Sequence, residues 1–319
     1  MRRAPSLARP LLALLLAGCG GEDCSFRWEP GEVRTYLRTE EAEGRAPDGS
    51  ERSARLEFTT TETAVEVVPG TSHTLRVAFD RVAGEARRGG DRPVLRYDSA
   101  GPPPAPPADD DEEAKTFLRS RAPILALAGK GLEGSWRPSG LFVEFEGLEA
   151  LRAAMTEGKP EGHPFHRAVE QIVSVPSLHH LLRPHLVVGE TSLRAGEARP
   201  FQDVGFLPES VGGFGFVYYR GTYRLKGVED GVARVELEAE AALDPLPGMP
   251  PWPAAAAELR NRLRLVRGTC RGFARIETAT GRLLEDEHVT ELDLHFTRPD
   301  GGGEVPIPSK ATRRLRLLR

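Results

Sequence analysis

Five of the eight histidines in this 319-residue chain, His163, His166, His179, His180 and His185, lie in one short stretch. Imidazole is a good ligand for zinc and similar metals. His163-Pro164-Phe165-His166 sets two of them three residues apart, and His180 and His185 can approach from a following turn. A metal-dependent hydrolase is the sharpest chemistry this spacing offers. Against it, the pattern that puts two histidines one helical turn apart with a glutamate between them is absent. The alternative is that these side chains ride the polar face of a helix and its exit loop. Val211-Gly212-Gly213-Phe214-Gly215 has the glycines of a phosphate loop but no lysine and no strand–loop–helix setting. No Gly-x-Ser-x-Gly occurs, and neither Cys24 nor Cys270 has a recognisable histidine context in the sequence. The acidic run Asp109 to Glu113 lacks the spaced ligands of a calcium-binding hand. No catalytic residue and no cofactor is assigned, and the chain leans away from an enzyme.

The one specific chemical signal is at the N-terminus. Arg2, Arg3 and Arg9 are followed by an apolar run, Leu11 to Ala17, and then by Gly18-Cys19. Seven apolar residues are too few to span a bilayer, which takes roughly 20, but they suit the core of an export signal. Leu16-Ala17-Gly18-Cys19 is similar to the lipobox of bacterial lipoproteins. The resemblance implies that residues 1–18 are a cleaved signal peptide, that the Cys19 sulfur carries a diacylglycerol, and that its new amino group is acylated. Two or more acyl chains hold a protein on a membrane stably, each buried methylene contributing about 0.8 kcal/mol. Gly20 after the cysteine, by resemblance to the sorting rule of Gram-negative lipoproteins, points to the outer rather than the inner membrane. Residues 19–25 are then a very short lipidated tether. Lipidation of Cys19 would leave Cys24 and Cys270 as an even pair in an oxidising compartment. They are a candidate disulfide, with two separate buried thiols as the alternative.

The rest of the chain must be a body that works close to that membrane. Hydrophobic residues make up 39% and charged residues 28%, enough for a packed core. The net charge of −4, which loss of the signal arginines makes more negative, provides no basic field for nucleic acid.

Residues 26–98 read as an N-terminal β-meander. Gly31 to Thr39 and Arg52 to Val68 alternate in the manner of strands, with a polar loop expected over Glu40 to Glu51 and a turn at Val68-Pro69-Gly70-Thr71. Residues 99–113 are a Pro-rich and acidic linker. Residues 114–190 form a mixed helical middle. A short strand is expected at Leu141 to Phe145, and helices at Leu148 to Met155 and Pro164 to Leu182, the latter kinked or divided by Pro176. Residues 191–319 return to strands. A bulge is expected near Arg220-Gly221, turns at Val228-Glu229-Asp230-Gly231 and Ala279-Thr280-Gly281, and a short helix around Ala254 to Leu259. Lys310 to Arg319 alternates basic and apolar residues, which fits a final strand or a contact with anionic lipid. Tyr218, Tyr219, Tyr223, Trp252 and Trp136 suit either a ligand groove or core packing. The two β-rich stretches share a layout that suits an internal duplication. However, the tetrad Gly31-Glu32-Val33-Arg34 has echoes both at Gly196 and at Gly84, where no repeat boundary belongs.

The expected fold is therefore α+β: a mostly antiparallel, curved β-sheet, in one piece or in two similar halves, with helices from the middle packed on it. The overall run, with Tyr97-Asp98-Ser99 closing the first meander, also resembles a broad group of bacterial envelope proteins, a resemblance that implies no activity. The function expected is a non-catalytic, lipid-anchored envelope protein, held to the membrane through its N-terminal lipid, that binds a hydrophobic ligand or a protein partner. A structural or assembly lipoprotein without a small-molecule site is the alternative, and a metal hydrolase using His163 to His185 comes third.

Overall fold

The computed structural model describes residues 27–69, 71–89, 93–102, 123–136, 142–182, 193, 195–207, 215–249, 251–252, 256–299 and 301–318. Among the described residues, twelve strands form one antiparallel sheet. They are β1 (Val33–Arg45), β2 (Glu51–Val68), β3 (Ser72–Arg88), β4 (Pro93–Asp98), β5 (Gly131–Trp136), β6 (Phe142–Glu146), β7 (Ala198–Phe206), β8 (Phe216–Glu229), β9 (Val232–Ala242), β10 (Leu263–Glu277), β11 (Arg282–Thr297) and β12 (Glu304–Leu317). The helices are short: α1 (Leu148–Thr156), α2 (Pro164–Ile172), α3 (Val175–Leu182) and α4 (Ala257–Arg262). The protein is thus mainly β, in a curved open sheet, rather than a balanced α+β fold. The physical reason is length. Strands of 13 to 18 residues carry the core, while the helices of the middle run to nine residues at most.

The strand order is β6-β5-β3-β2-β1-β12-β11-β10-β9-β8-β7, with β4 beside the upper half of β3. The chain starts at the centre of the sheet, meanders to one edge, crosses to the other edge, and meanders back. The first and last strands then pair, from Tyr36 opposite Leu317 to Gly44 opposite Ser309. That ladder joins the two β-rich stretches into one sheet.

The inward face carries Phe58, Val77, Phe79, Val82, Leu225, Val235, Leu237, Leu292, Leu294, Ile307 and Leu315, all buried. The outward face is clad in cross-strand ion pairs, such as Arg55 with Glu41 at 3.0 Å and Arg314 with Glu287 at 2.6 Å. These pairs explain one departure from expectation. The polar stretch after Thr39 is not a loop: β1 continues to Arg45, because Glu41 meets Arg55 on β2 and Arg314 on β12. Only residues 46–50 turn, with Gly49 at φ 85°. The bulge expected near Arg220-Gly221 is instead between Leu225 and Gly227. Arg220 and Gly221 continue the ladder to β7 without a shift. The turns at Val68 to Thr71 and Asp230-Gly231 form as read, the latter with positive φ at both residues as a tight hairpin requires.

Helices α2 and α3 are the two halves of the predicted 164–182 helix. They are separated at Val173-Ser174, with Pro176 in the first turn of α3, where a missing N–H costs nothing. Helix α1 touches β5 and α3 touches β7. The helices therefore pack near the two ends of the strand order, against β5 beside the edge strand β6 and against the edge strand β7, and bury Leu151, Met155, Val169, Val173, Leu178 and Leu182 in the same core.

Candidate functional site

The inward phase that holds Leu294 and Leu292 on β11 runs back through Thr290, His288 and Asp286. A strand whose buried phase turns polar places those groups inside the fold, and here they meet a thiol. Cys270 is on β10, one diagonal step from His288, with Sγ 4.0 Å from Nδ1. On the other side of the ring, Nε2 is 3.1 Å from Oδ1 of Asp286. Asp286, His288 and Cys270 are all buried. The Nε2–Oδ1 approach is that of an ion pair rather than an aligned hydrogen bond. Gly272 makes room for the ring: a Cβ there would come 2.6 Å from Cδ2 of His288 and 2.3 Å from the Glu287 carbonyl.

Burial by itself would lower the pKa of His288. The Asp286 carboxylate, helped by the hydrogen bond that the ring donates to the Cys270 sulfur, overcomes this and raises it to about 10, so the ring is an imidazolium at neutral pH. Burial also drives the Tyr219 phenol well above its usual range. The groups border a cavity of about 30 Å³, lined by Glu40, Asp203, Tyr219, Thr290 and Arg313 as well as by Cys270 and His288. A space of that size holds about one water molecule. Across the sheet the polar interior continues. Arg313 pairs with Glu40 at 3.2 Å, and Arg38 pairs with Glu62 while its Nε donates to Thr60 Oγ1 at 3.4 Å. The arrangement binds a proton and buries paired charges.

The sequence-predicted residues are dispersed. Cys19 and Cys24 lie outside the described residues, as do His185 and the side chains of His179 and His180. His163 is the N-cap of α2, where its Nδ1 accepts the Phe165 N–H at 3.1 Å. His166 is a turn further along, half-buried. Among the described residues no three His, Cys, Asp or Glu side chains come together as a metal site. Nor do the aromatics line one groove. Tyr219 and Tyr223 face inward. Tyr218 is on the opposite face of β8, fully buried beside Phe216 and near Asp244 and Arg260. Trp136 packs on Phe145 at the opposite edge. The basic C-terminal stretch is the strand β12, with Arg313 inside and Arg314 outside.

Sequence reasoning missed Asp286 and His288, and it placed no histidine near Cys270. The available signal was the phase of β11, in which Asp286 and His288 extend the alternation of Leu292, Leu294 and Phe296.

No protein-family profile matches the chain, and no curated protein matches it. Two solved structures are similar in outline. One is described as lipid–protein interactions in lipovitellin, 11% identical with a TM-score of 0.46 over 92% of this chain and 26% of that one. The other is OccK5 (OpdH) of Pseudomonas aeruginosa, 9% identical with a TM-score of 0.23 over 90% of this chain and 99% of that one. The chain thus spans about a quarter of the lipovitellin chain. Both scores are too low for a shared topology to follow.

Proposed function

We propose that this is a non-catalytic, lipid-anchored protein of the bacterial cell envelope, attached to the outer membrane through Cys19, that takes an apolar guest between its curved sheet and its helices. The guest is a hydrophobic ligand or the apolar segment of a protein partner. The supporting observation is that α1 to α3 bury their apolar side chains in the core of the sheet, with α1 contacting β5, next to the edge strand β6, and α3 contacting the edge strand β7. Such a cover can part from the sheet without breaking a ladder, and it would expose Leu151, Met155, Val169, Val173, Leu178 and Leu182 together. Burying a side chain of that size against a guest is worth about 1.5–3 kcal/mol.

The test is native mass spectrometry of the detergent-extracted protein purified from its own host. A co-purifying lipid or a stoichiometric partner supports the reading. A bare chain that also excludes apolar dyes overturns it. Acylation of Cys19 is read from the mass of the N-terminal peptide. The pairing of Cys24 with Cys270 belongs to the same proposal. Peptide mapping without reduction tests it: a linked peptide supports it, and a free Cys270 thiol overturns it.

A second reading, a structural or assembly lipoprotein with a permanently filled interior, is favoured by one observation. The cavity beside His288 measures only about 30 Å³.

A further inference from the structure

We infer that one end of the sheet, the rim formed by Val33, Val65, Val68 and Leu318, docks flat on the surface of a lipid bilayer. This inference rests on the lipid-anchor reading of Cys19 for its orientation. Its first support is where the exposed apolar residues lie. Six large hydrophobic side chains are conspicuously exposed among the described residues, and four of them are here: Val33 at 54%, Val65 at 45%, Val68 at 39% and Leu318 at 47%. The hydrogen-bond pattern brings them together. Val33 is opposite Thr63, one diagonal step from Val65, and the Leu318 N–H donates to Thr35, two residues along β1 from Val33. Diagonal neighbours of this kind on one face of a sheet are about 7–8 Å apart. Further along the same strands the outward positions carry Glu41, Arg55 and Arg314, paired with one another. Charged side chains interleave with this apolar group: Arg282 pairs with Glu32 at 2.8 Å beside Val33, and Glu66 and Arg316 are exposed near Val65 and Leu318.

The second support is independent and comes from where the described chain begins. The Arg27 N–H donates to Gly281 at 3.0 Å, and the Arg27 carbonyl accepts from the buried guanidinium of Arg34. That guanidinium also sits 3.9 Å from the centre of the Trp28 ring and 2.8 Å from Glu32. Arg27 is thereby pinned at the end of the sheet that carries the four apolar side chains. Seven residues separate it from Cys19, a reach of at most about 28 Å over eight steps. The far end of β2 is about 56 Å from Val68 along the strand, at about 3.3 Å per residue. With Cys19 at the headgroups, this rim is the part of the body within reach of the membrane, and its valines and leucine suit shallow insertion at the acyl boundary.

Hydroxyl-radical footprinting of the full-length protein tests this, comparing vesicles of phosphatidylethanolamine and phosphatidylglycerol with detergent micelles. The expected result is loss of reactivity at Val33, Val65, Val68 and Leu318 in vesicles. Val175 and Val266, exposed at 40% and 49% away from the rim, serve as references and keep their reactivity. In a Val33→Asp, Leu318→Asp double variant with an unchanged circular dichroism spectrum, the protection of Val65 and Val68 disappears. Four rim residues as reactive in vesicles as Val266 would overturn the docking surface, whatever the state of Cys19. The mass of the N-terminal peptide from the same sample reports acylation separately. A protected rim on an unacylated chain keeps the docking surface and removes the anchor.

Discussion

The imidazole of His288 lies over the backbone of Gly272, its partner in the β10–β11 ladder, so closely that a Cβ on Gly272 would stand 2.6 Å from Cδ2. The glycine is what lets a charged ring fit inside the sheet between Asp286 and Cys270. Replacing Gly272 by alanine should destabilise the protein by about 1–3 kcal/mol, the usual cost of forcing extra volume into a packed core. Urea denaturation measures it. An unchanged midpoint would mean that the ring has somewhere else to go.

The same ring sets a pH dependence. Its pKa rises from 6.5 in the unfolded chain to about 10 in the folded one. The folded state therefore holds the proton more tightly, and the stability gained is fully present below about pH 6.5 and lost as pH rises towards 10. Midpoints measured from pH 6 to pH 10.5 should fall more steeply for the native chain than for His288→Gln, whereas parallel curves would refute the assignment. His73 acts in the opposite sense. Burial, and then the nearby Arg34, lower its pKa to about 4, so its contribution is lost as pH falls from 6.5 to 4.

Arg38 and Glu62 are buried together on the inward face. Removing one partner leaves the other charge unpaired, so Glu62→Ala should cost about 3–5 kcal/mol. The double variant Arg38→Leu, Glu62→Leu should cost clearly less than Glu62→Ala alone. A double-mutant cycle by chemical denaturation checks both, and additive losses would show that the pair is not coupled.

Adjacent arginines on β12 should behave differently. Arg314 is outside, nearly half exposed between Glu287 and Glu41, and its replacement by alanine should change stability by less than about 1 kcal/mol. Arg313 is inside against Glu40, and its loss should cost about 1–3 kcal/mol because the carboxylate loses its charged partner. Equal effects would mean that the strand register is wrong.

How much of this was legible in the sequence differs from residue to residue. Alternation showed that Leu56 and Phe58, or Leu292 and Leu294, share a face, and Asp230-Gly231 marked a hairpin without any knowledge of the fold. The lipobox-like Leu16 to Cys19 is likewise a local signal. By contrast, Glu40 to Arg45 reads as a loop because the ion-pair partners of Glu41 are 14 and 273 residues away: a charged strand is stable only once Arg55 and Arg314 stand beside it. The pairing of Tyr36 with Leu317, which makes one sheet of two meanders, leaves no trace in either strand alone.

The site separates the two kinds of information most clearly. Local sequence determined which residues alternate, where the chain turns, and that Cys270 falls on a strand, whereas Asp286 and His288 lie in the part of β11 that precedes the stretch read as a strand from the alternation of Leu292, Leu294 and Phe296. Only the tertiary structure decided that they meet. Strand pairing is a long-range choice of register, and a shift of one residue would have turned His288 from the buried face to solvent.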